Sequence, residues 1–285
     1  MNTLCWSLTK NRGDISEFFP YMYDLYYLSM AMARELGYNV VLYGNTSAIQ
    51  NLKDIADSVI NIDFLDYQLF DDPKVYIWAS RADEYATIDG DVFLYKRINF
   101  RDTHNGNITV AVENNQTLSI GQTSRAYNLF SECGVNRVLP FWESYRTDSY
   151  NTGIIKWNNV EAKNYYLSKY YEFRRWFLDK RDLMGNIEPS IVTNVSIGSH
   201  LVCEHLLYKM IKNFKLNVDV LKTNSYNDGA YSHFVGADKY TNIEKWLPIK
   251  LLVEEIREMK KHLGSSYRFN IKGVYMELAK FYGAI

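Results

Sequence analysis

Residues 86–96, ATIDGDVFLYK, decide how this chain is read. Apolar strand-forming residues run as far as Ile88, the triplet Asp89, Gly90, Asp91 interrupts them, and apolar residues resume at Val92. A strand that delivers Asp89 to its carboxyl end, with Gly90 permitting close backbone approach, places two hard oxygen donors where open α/β sheets bind ligands. Such a pair suits a small divalent cation that keeps several positions for phosphate oxygens and water. The competing reading is a solvated acidic turn between two strands. Spacing alone does not separate the two, because 33 acidic residues in 285 positions give roughly four such pairs by chance.

Working outward, TLCWSL (3–8) reads as a buried strand and the polar stretch TKNRGD after it as a loop at the strand's carboxyl end. A helix is predicted from about Pro20 to Leu36, with Leu25, Leu28, Met32 and Leu36 at helical spacing and Gly37 just past the end. NVVLYG (39–44) is the next strand, Ser47 to Asp57 a helix, and SVINID (58–63) a third strand. Pro73 to Glu84 carries helical periodicity and leads into the decisive segment. The alternation predicts an α/β fold, a Rossmann-like mixed and mainly parallel sheet flanked by helices. Downstream, strands are expected at 107–113, 150–157 and 216–221, and helices at 124–132, about 159–180 and 200–214. Two charged amphipathic helices, about 242–263 and 270–282, form a C-terminal extension. The expected organisation is one domain over 1–240 with 241–285 packed on it, by capping or by homodimerisation.

Composition narrows the function classes. Lys and Arg total 32 against 33 for Asp and Glu, so no global field draws the chain to nucleic acid or an anionic membrane. No apolar run approaches the roughly 18 residues that span a bilayer. Met1 to Leu8 lacks the long apolar core of a secretory signal, and a cytoplasmic protein is expected. Cys5, Cys133 and Cys203 are odd in number, widely separated and without C-x-x-C spacing, so they read as reduced and structural. Tyrosine is frequent, at 24 residues; its rings can stack on sugars while its hydroxyls bond polar groups, although half-buried packing accounts for most.

A second polar signal is HFVGADK (233–239). His233 can complete a metal site, Gly236 lets backbone N–H groups approach phosphate, and Lys239 supplies a mobile positive charge. A histidine beside Phe234 is equally well a packed surface residue. His200, Glu204 and His205 do not form a zinc-peptidase helix: the H-x-x-E-H spacing is absent. At ~100° per residue the two imidazoles diverge by roughly 140°.

Taken in order, Asp89-Gly90-Asp91, Asn151-Thr152-Gly153 and His233-x-x-Gly236-x-x-Lys239 resemble three motifs of the GT-A fold glycosyltransferases. The similarity is greatest to family eight, the glycogenin and bacterial galactosyltransferase group, and covers roughly residues 1–240. The resemblance implies that Asp89, Asp91 and His233 bind manganese, or magnesium, and that Gly90, Gly236 and Lys239 hold the diphosphate of a UDP-sugar donor. It implies that Asn151, Thr152 and Gly153 face the donor sugar. A basic residue on the helix before the acidic motif, Lys74 or Arg81, is expected toward the nucleotide, with Ser7 to Asn11 bordering the base.

Where family members carry an Asp-Gln pair, this chain has Glu204 with His205. Glu204 is read as a base, an acceptor-binding group or a helix-face residue. Glu113, at the end of a predicted strand, is a further carboxylate of the same kind. The catalytic candidates are thus Asp91, Asn151 and Glu204. The implied activity is transfer of a hexosyl group, of glucose or galactose type and with retention, to an acceptor hydroxyl, most simply of a glycan. Two alternatives stand: a sugar-nucleotide-binding protein without transfer, and glycosylation of modified DNA bases of the phage type. The run Arg174, Arg175, Lys180 and Arg181 is what keeps the nucleic-acid reading open, against a solvated helix face.

Overall fold

The computed structural model describes residues 3–9, 22–66, 68–69, 71–98, 100, 108–112, 120–139, 142, 150–188, 204, 206–222, 231–233, 243–264 and 267–282. The chain divides into two compact units, one made of Met1–Leu65, Asp83–Phe100 and Leu221–Ile285, the other of Asp66–Ala82 and Arg101–Val220.

In the first unit, β1 (Thr3–Leu8), β2 (Asn39–Gly44), β3 (Ser58–Asn61) and β4 (Tyr85–Ile88) lie in the order β3-β2-β1-β4. The β1–β2, β2–β3 and β1–β4 pairings are all parallel. Thr3, Leu4, Cys5 and Trp6 of β1 are fully or almost fully buried, as a strand with neighbours on both sides and covered faces requires. Helix α1 (Met22–Glu35) carries the chain from β1 to β2, and its Leu25, Tyr27, Leu28, Met30 and Met32 are buried. It stops as the sequence predicts: Gly37 takes φ 79°, with Gly37 N–H donating to Arg34 O and Tyr38 N–H to Ala33 O. Helix α2 (Thr46–Leu52) starts on Asn45, whose side chain accepts from Ala48 N, and ends short of the predicted Asp57.

From β1 the chain adds β2 and β3 on one side and then returns to place β4 on the other. That reversal creates a topological switch point, and the crevice outside the carboxyl ends of β1 and β4 is where open α/β sheets bind ligands. After β4 the chain does not continue as one strand. It turns and forms β5 (Val92–Leu94), which pairs antiparallel with β9 (Tyr231–His233) in a separate two-stranded sheet. Helices α7 (Ile243–Leu263) and α8 (Ile271–Tyr282) belong to this unit, and α7 packs on α1. The Arg257 guanidinium lies 4.3 Å from the Tyr27 ring centre and donates to Asn51 O.

The second unit contains α3 (Asp72–Ser80), β6 (Ile108–Val112), α4 (Ile120–Glu132), β7 (Asn151–Trp157), α5 (Val160–Ile187), α6 (Leu206–Phe214) and the first three residues of β8 (Val218–Lys222). Its strands are ordered β7-β6-β8, with β6 and β7 antiparallel. Helix α5 begins at Asn159, which caps Ala162 N–H, and buries Tyr166, Tyr170, Phe173 and Phe177 at spacings of three and four. Trp78 of α3 meets Trp157 of β7 and Tyr166 of α5 edge-on at 5.7 and 5.5 Å. Asp72 joins α3 to α5: its carboxylate accepts from Arg174 Nε, Tyr170 Oη, Gln68 N and Leu69 N.

The parallel sheet, its helical cover and the antiparallel β6–β7 pair give the mixed, mainly parallel α/β architecture expected. Cys5 is buried and Cys133 half-buried, both as free thiols, whereas Cys203 lies outside the described residues. No described helix is long and apolar enough to cross a membrane.

Candidate functional site

Asp89, Gly90 and Asp91 form the turn between β4 and β5, closed by Val92 N–H donating to Asp89 O at 3.1 Å. The turn sits at the carboxyl end of β4, beside β1, with both aspartates half-buried. Pairing of β5 with β9 sets Val92 opposite His233, Phe93 opposite Ser232 and Leu94 opposite Tyr231. The backbone of His233 therefore lies across from the residue that follows Asp91, although 142 positions separate His233 from Asp91 in sequence. Among the described residues no cluster of three or more His, Cys, Asp or Glu side chains is gathered around a single point. Gly236 and Lys239 lie outside the described residues.

Two residues of α1 that the sequence reading missed hold this turn. The Tyr26 hydroxyl donates to Ser7 O at 2.9 Å, and its ring lies against Gly90. A Cβ built on Gly90 would sit 2.0 Å from Tyr26 Cε2 and 2.5 Å from its Cγ. Glycine is thus required here to admit a phenol ring. Burial first, then the charges of Asp89 and Asp91, raise the Tyr26 phenol well above its ordinary value near 10, while a hydrogen bond from the Gly90 backbone pulls the other way. The hydroxyl consequently stays protonated and able to donate.

Three residues on, Ser29 makes the second attachment from the same helix face. Its Oγ accepts from Trp6 Nε1 at 3.0 Å and donates to Val92 O at 2.6 Å, with Asp89 O at 3.5 Å. Ser7 and Trp6, adjacent on β1, are in this way tied through α1 to the middle and the exit of the acidic turn. A tyrosine and a serine spaced i, i+3 on the helix after β1 were the available signal. It was invisible while the partner carbonyls were unknown.

In the second unit, Asn151, Thr152 and Gly153 open β7. Val110 pairs with Ile155, but Ala111 pairs with Asn151, so Thr152, Gly153 and Ile154 have no opposite residue on β6. Such a shift of register is a β-bulge. Lys74 of α3, only 6% exposed, reaches it: Nζ donates to Thr152 O at 3.2 Å and lies 3.4 Å from Thr152 Oγ1, with Asp71 Oδ1 at 4.0 Å. The structure thus joins two predicted site residues, Lys74 and Thr152, to each other. Arg81 ends α3 in extended conformation, and its carbonyl accepts from Lys163 Nζ. Glu204 is 1% exposed, while Glu113 and His205 lie outside the described residues.

The basic run on α5 is largely engaged within its own unit. Arg174 binds Asp72 and Asp66 O, Arg181 donates to Gln68 Oε1, and Lys180 lies 2.9 Å from Asp179.

No protein-family model matches the chain, and no curated protein matches it in sequence. Solved structures similar to it include a galactosyltransferase, LgtC, in complex with donor and acceptor sugar analogs (11% identity, 94% of this chain and 98% of that one, TM-score 0.41). Others are the glycosyltransferase GlyE of Streptococcus pneumoniae (10% identity, 91% and 65%, TM-score 0.44) and mouse xyloside xylosyltransferase 1 (13% identity, 65% and 76%, TM-score 0.35). Function therefore has to be read from this chain's own residues.

Proposed function

We propose that this chain is a metal-dependent glycosyltransferase that moves a hexosyl group, of glucose or galactose type, from a UDP-sugar to an acceptor hydroxyl with retention of configuration. The observation that supports the reading is the β5–β9 pairing, which sets the backbone of His233, the first residue of the third motif, opposite Val92, next to Asp91. Magnesium and manganese are commonly held by one or two carboxylates together with substrate phosphates, and the two half-buried acids of one turn fit that donor set. Asp89, Asp91 and His233 would hold the ion, the imidazole favouring manganese. Its chemistry there is to offset the charge that develops on the departing diphosphate.

The chain's own groups supply the rest. Gly236 and Lys239 are the proposed diphosphate contacts, Lys239 acting as a point charge on the leaving group. Ser7 and Arg81 remain the candidates on the nucleotide side. In the second unit, Asn151 and Gly153 are proposed toward the transferred sugar. Lys74 acts in this reading by fixing the Thr152 backbone. Glu204, being buried, is proposed as an acid–base or acceptor-orienting group.

Release of UDP from a panel of UDP-sugars, with and without manganese, tests the reading. Manganese-dependent release that disappears in Asp91→Asn supports it. No release from any donor, with or without acceptor extracts, overturns the enzyme and favours a sugar-nucleotide-binding protein. Product anomers read by NMR decide the stereochemistry, and an inverted product rejects retention.

A further inference from the structure

We infer that Tyr26 is a positioning residue for metal-dependent donor binding, holding the acidic turn at a fixed offset from the end of β1; this rests on the function proposed above. The phenol spans the switch point. Its oxygen donates to Ser7 O on β1, and its ring occupies the space that a side chain at residue 90 would take. Ser29 ties the other flank, from Trp6 to Val92. Between these attachments the chain runs through Asp89, Gly90 and Asp91, so the aim of both carboxylates is set from α1 as well as from the strands that carry them.

The chemistry of the attachment suits the place. A charged group between the turn and β1 would pair with the aspartates and compete with a cation, whereas a neutral phenol and a neutral hydroxyl fix the backbone without adding charge. A metal held by two carboxylates is sensitive to their mutual geometry, and loss of an outer hydrogen-bond partner usually weakens such sites. Tyr26 touches neither donor nor acceptor in this scheme; it acts through Asp89 and Asp91.

The test compares three full-length proteins: wild type, Tyr26→Phe and Tyr38→Phe. Tyr26→Phe keeps the ring against Gly90 and removes only the hydroxyl. Tyr38 is a matched phenol elsewhere in the unit, donating to Ile98 O at 2.9 Å and accepting from Ile98 N at 2.7 Å. UDP binding is titrated by calorimetry at fixed manganese and again in EDTA, and the manganese midpoint for UDP binding is recorded with the melting temperature. The expected result for Tyr26→Phe is a manganese midpoint raised about tenfold, unchanged weak binding in EDTA, and a melting temperature no lower than that of Tyr38→Phe. Tyr38→Phe keeps the wild-type midpoint. Equal midpoints in wild type and Tyr26→Phe overturn the inference, as do equal losses in both variants, which would mark a general loss of stability. A wild type that binds UDP identically with and without manganese removes the proposed function itself, and this inference with it.

Discussion

Two segments of this chain depart from regular strand pairing, and the two departures are held in opposite ways. At Asp89–Asp91 the break is a turn fastened by uncharged hydroxyls, Tyr26 to Ser7 O and Ser29 to Val92 O. At Thr152–Ile154 the break is a bulge whose carbonyl is met by the buried ammonium of Lys74. The contrast follows from what each break carries. The two clamps on the segment bearing two carboxylates add no charge of their own, while the neutral carbonyl of Thr152 is met by an ammonium that has Asp71 nearby at 4.0 Å. Neutral clamps confer modest stability; a buried charge costs much when its surroundings change.

The largest expected effect separates chemistry from scaffold. Asp91→Asn should lower manganese-dependent UDP release by more than about 100-fold while leaving the melting temperature near wild type. Full activity at limiting manganese would mean that the triplet is only a turn. Next comes the charged clamp: Lys74→Met should destabilise by about 3–5 kcal/mol in urea unfolding, because it removes the donor to Thr152 O and leaves Asp71 buried beside an apolar chain. A loss below about 1 kcal/mol would put Lys74 outside the scaffold and return it to the nucleotide.

Gly90→Ala should cost about 1–3 kcal/mol, since the new methyl overlaps the Tyr26 ring. In a Tyr26→Ala background the same change should cost much less, and additive losses in that double-mutant cycle would show the contact to be unimportant. The smallest effect is a pH dependence. Burial raises the Tyr38 phenol to about 12, so in the folded state it keeps its proton where the unfolded chain, near 10, loses it. Its contribution is complete below pH 10 and is lost as pH rises toward 12. Stability measured across that window should fall less steeply in Tyr38→Phe; parallel curves would contradict the assignment.

Much of the frame was legible because it rests on local rules. Gly37 ended α1 and the buried run of β1 read as a central strand. The apolar break after Ile88 marked the carboxyl end of β4. What could not be read depended on distant partners. That β5 leaves the main sheet for β9 depends on a partner far away in sequence, and periodicity does not encode it. The bulge at Thr152 needs the β6 register, and the partner of Lys74 needs the bulge. Tyr26 and Ser29 were hidden for another reason: on a helix buried over most of its surface, a polar residue reads as a minor blemish until the carbonyl it meets is known.

Cys5 turns the central position of β1 into a measurable quantity. Its sulfur is wholly enclosed, so an alkylating reagent can reach it only when β1 parts from its neighbours. Cys133 is more accessible, but burial and the adjacent Glu132 raise its thiol above the usual range and slow its reaction. The labelling rate at Cys5, followed by peptide mass mapping, would therefore report how often β1 becomes accessible without any engineered probe.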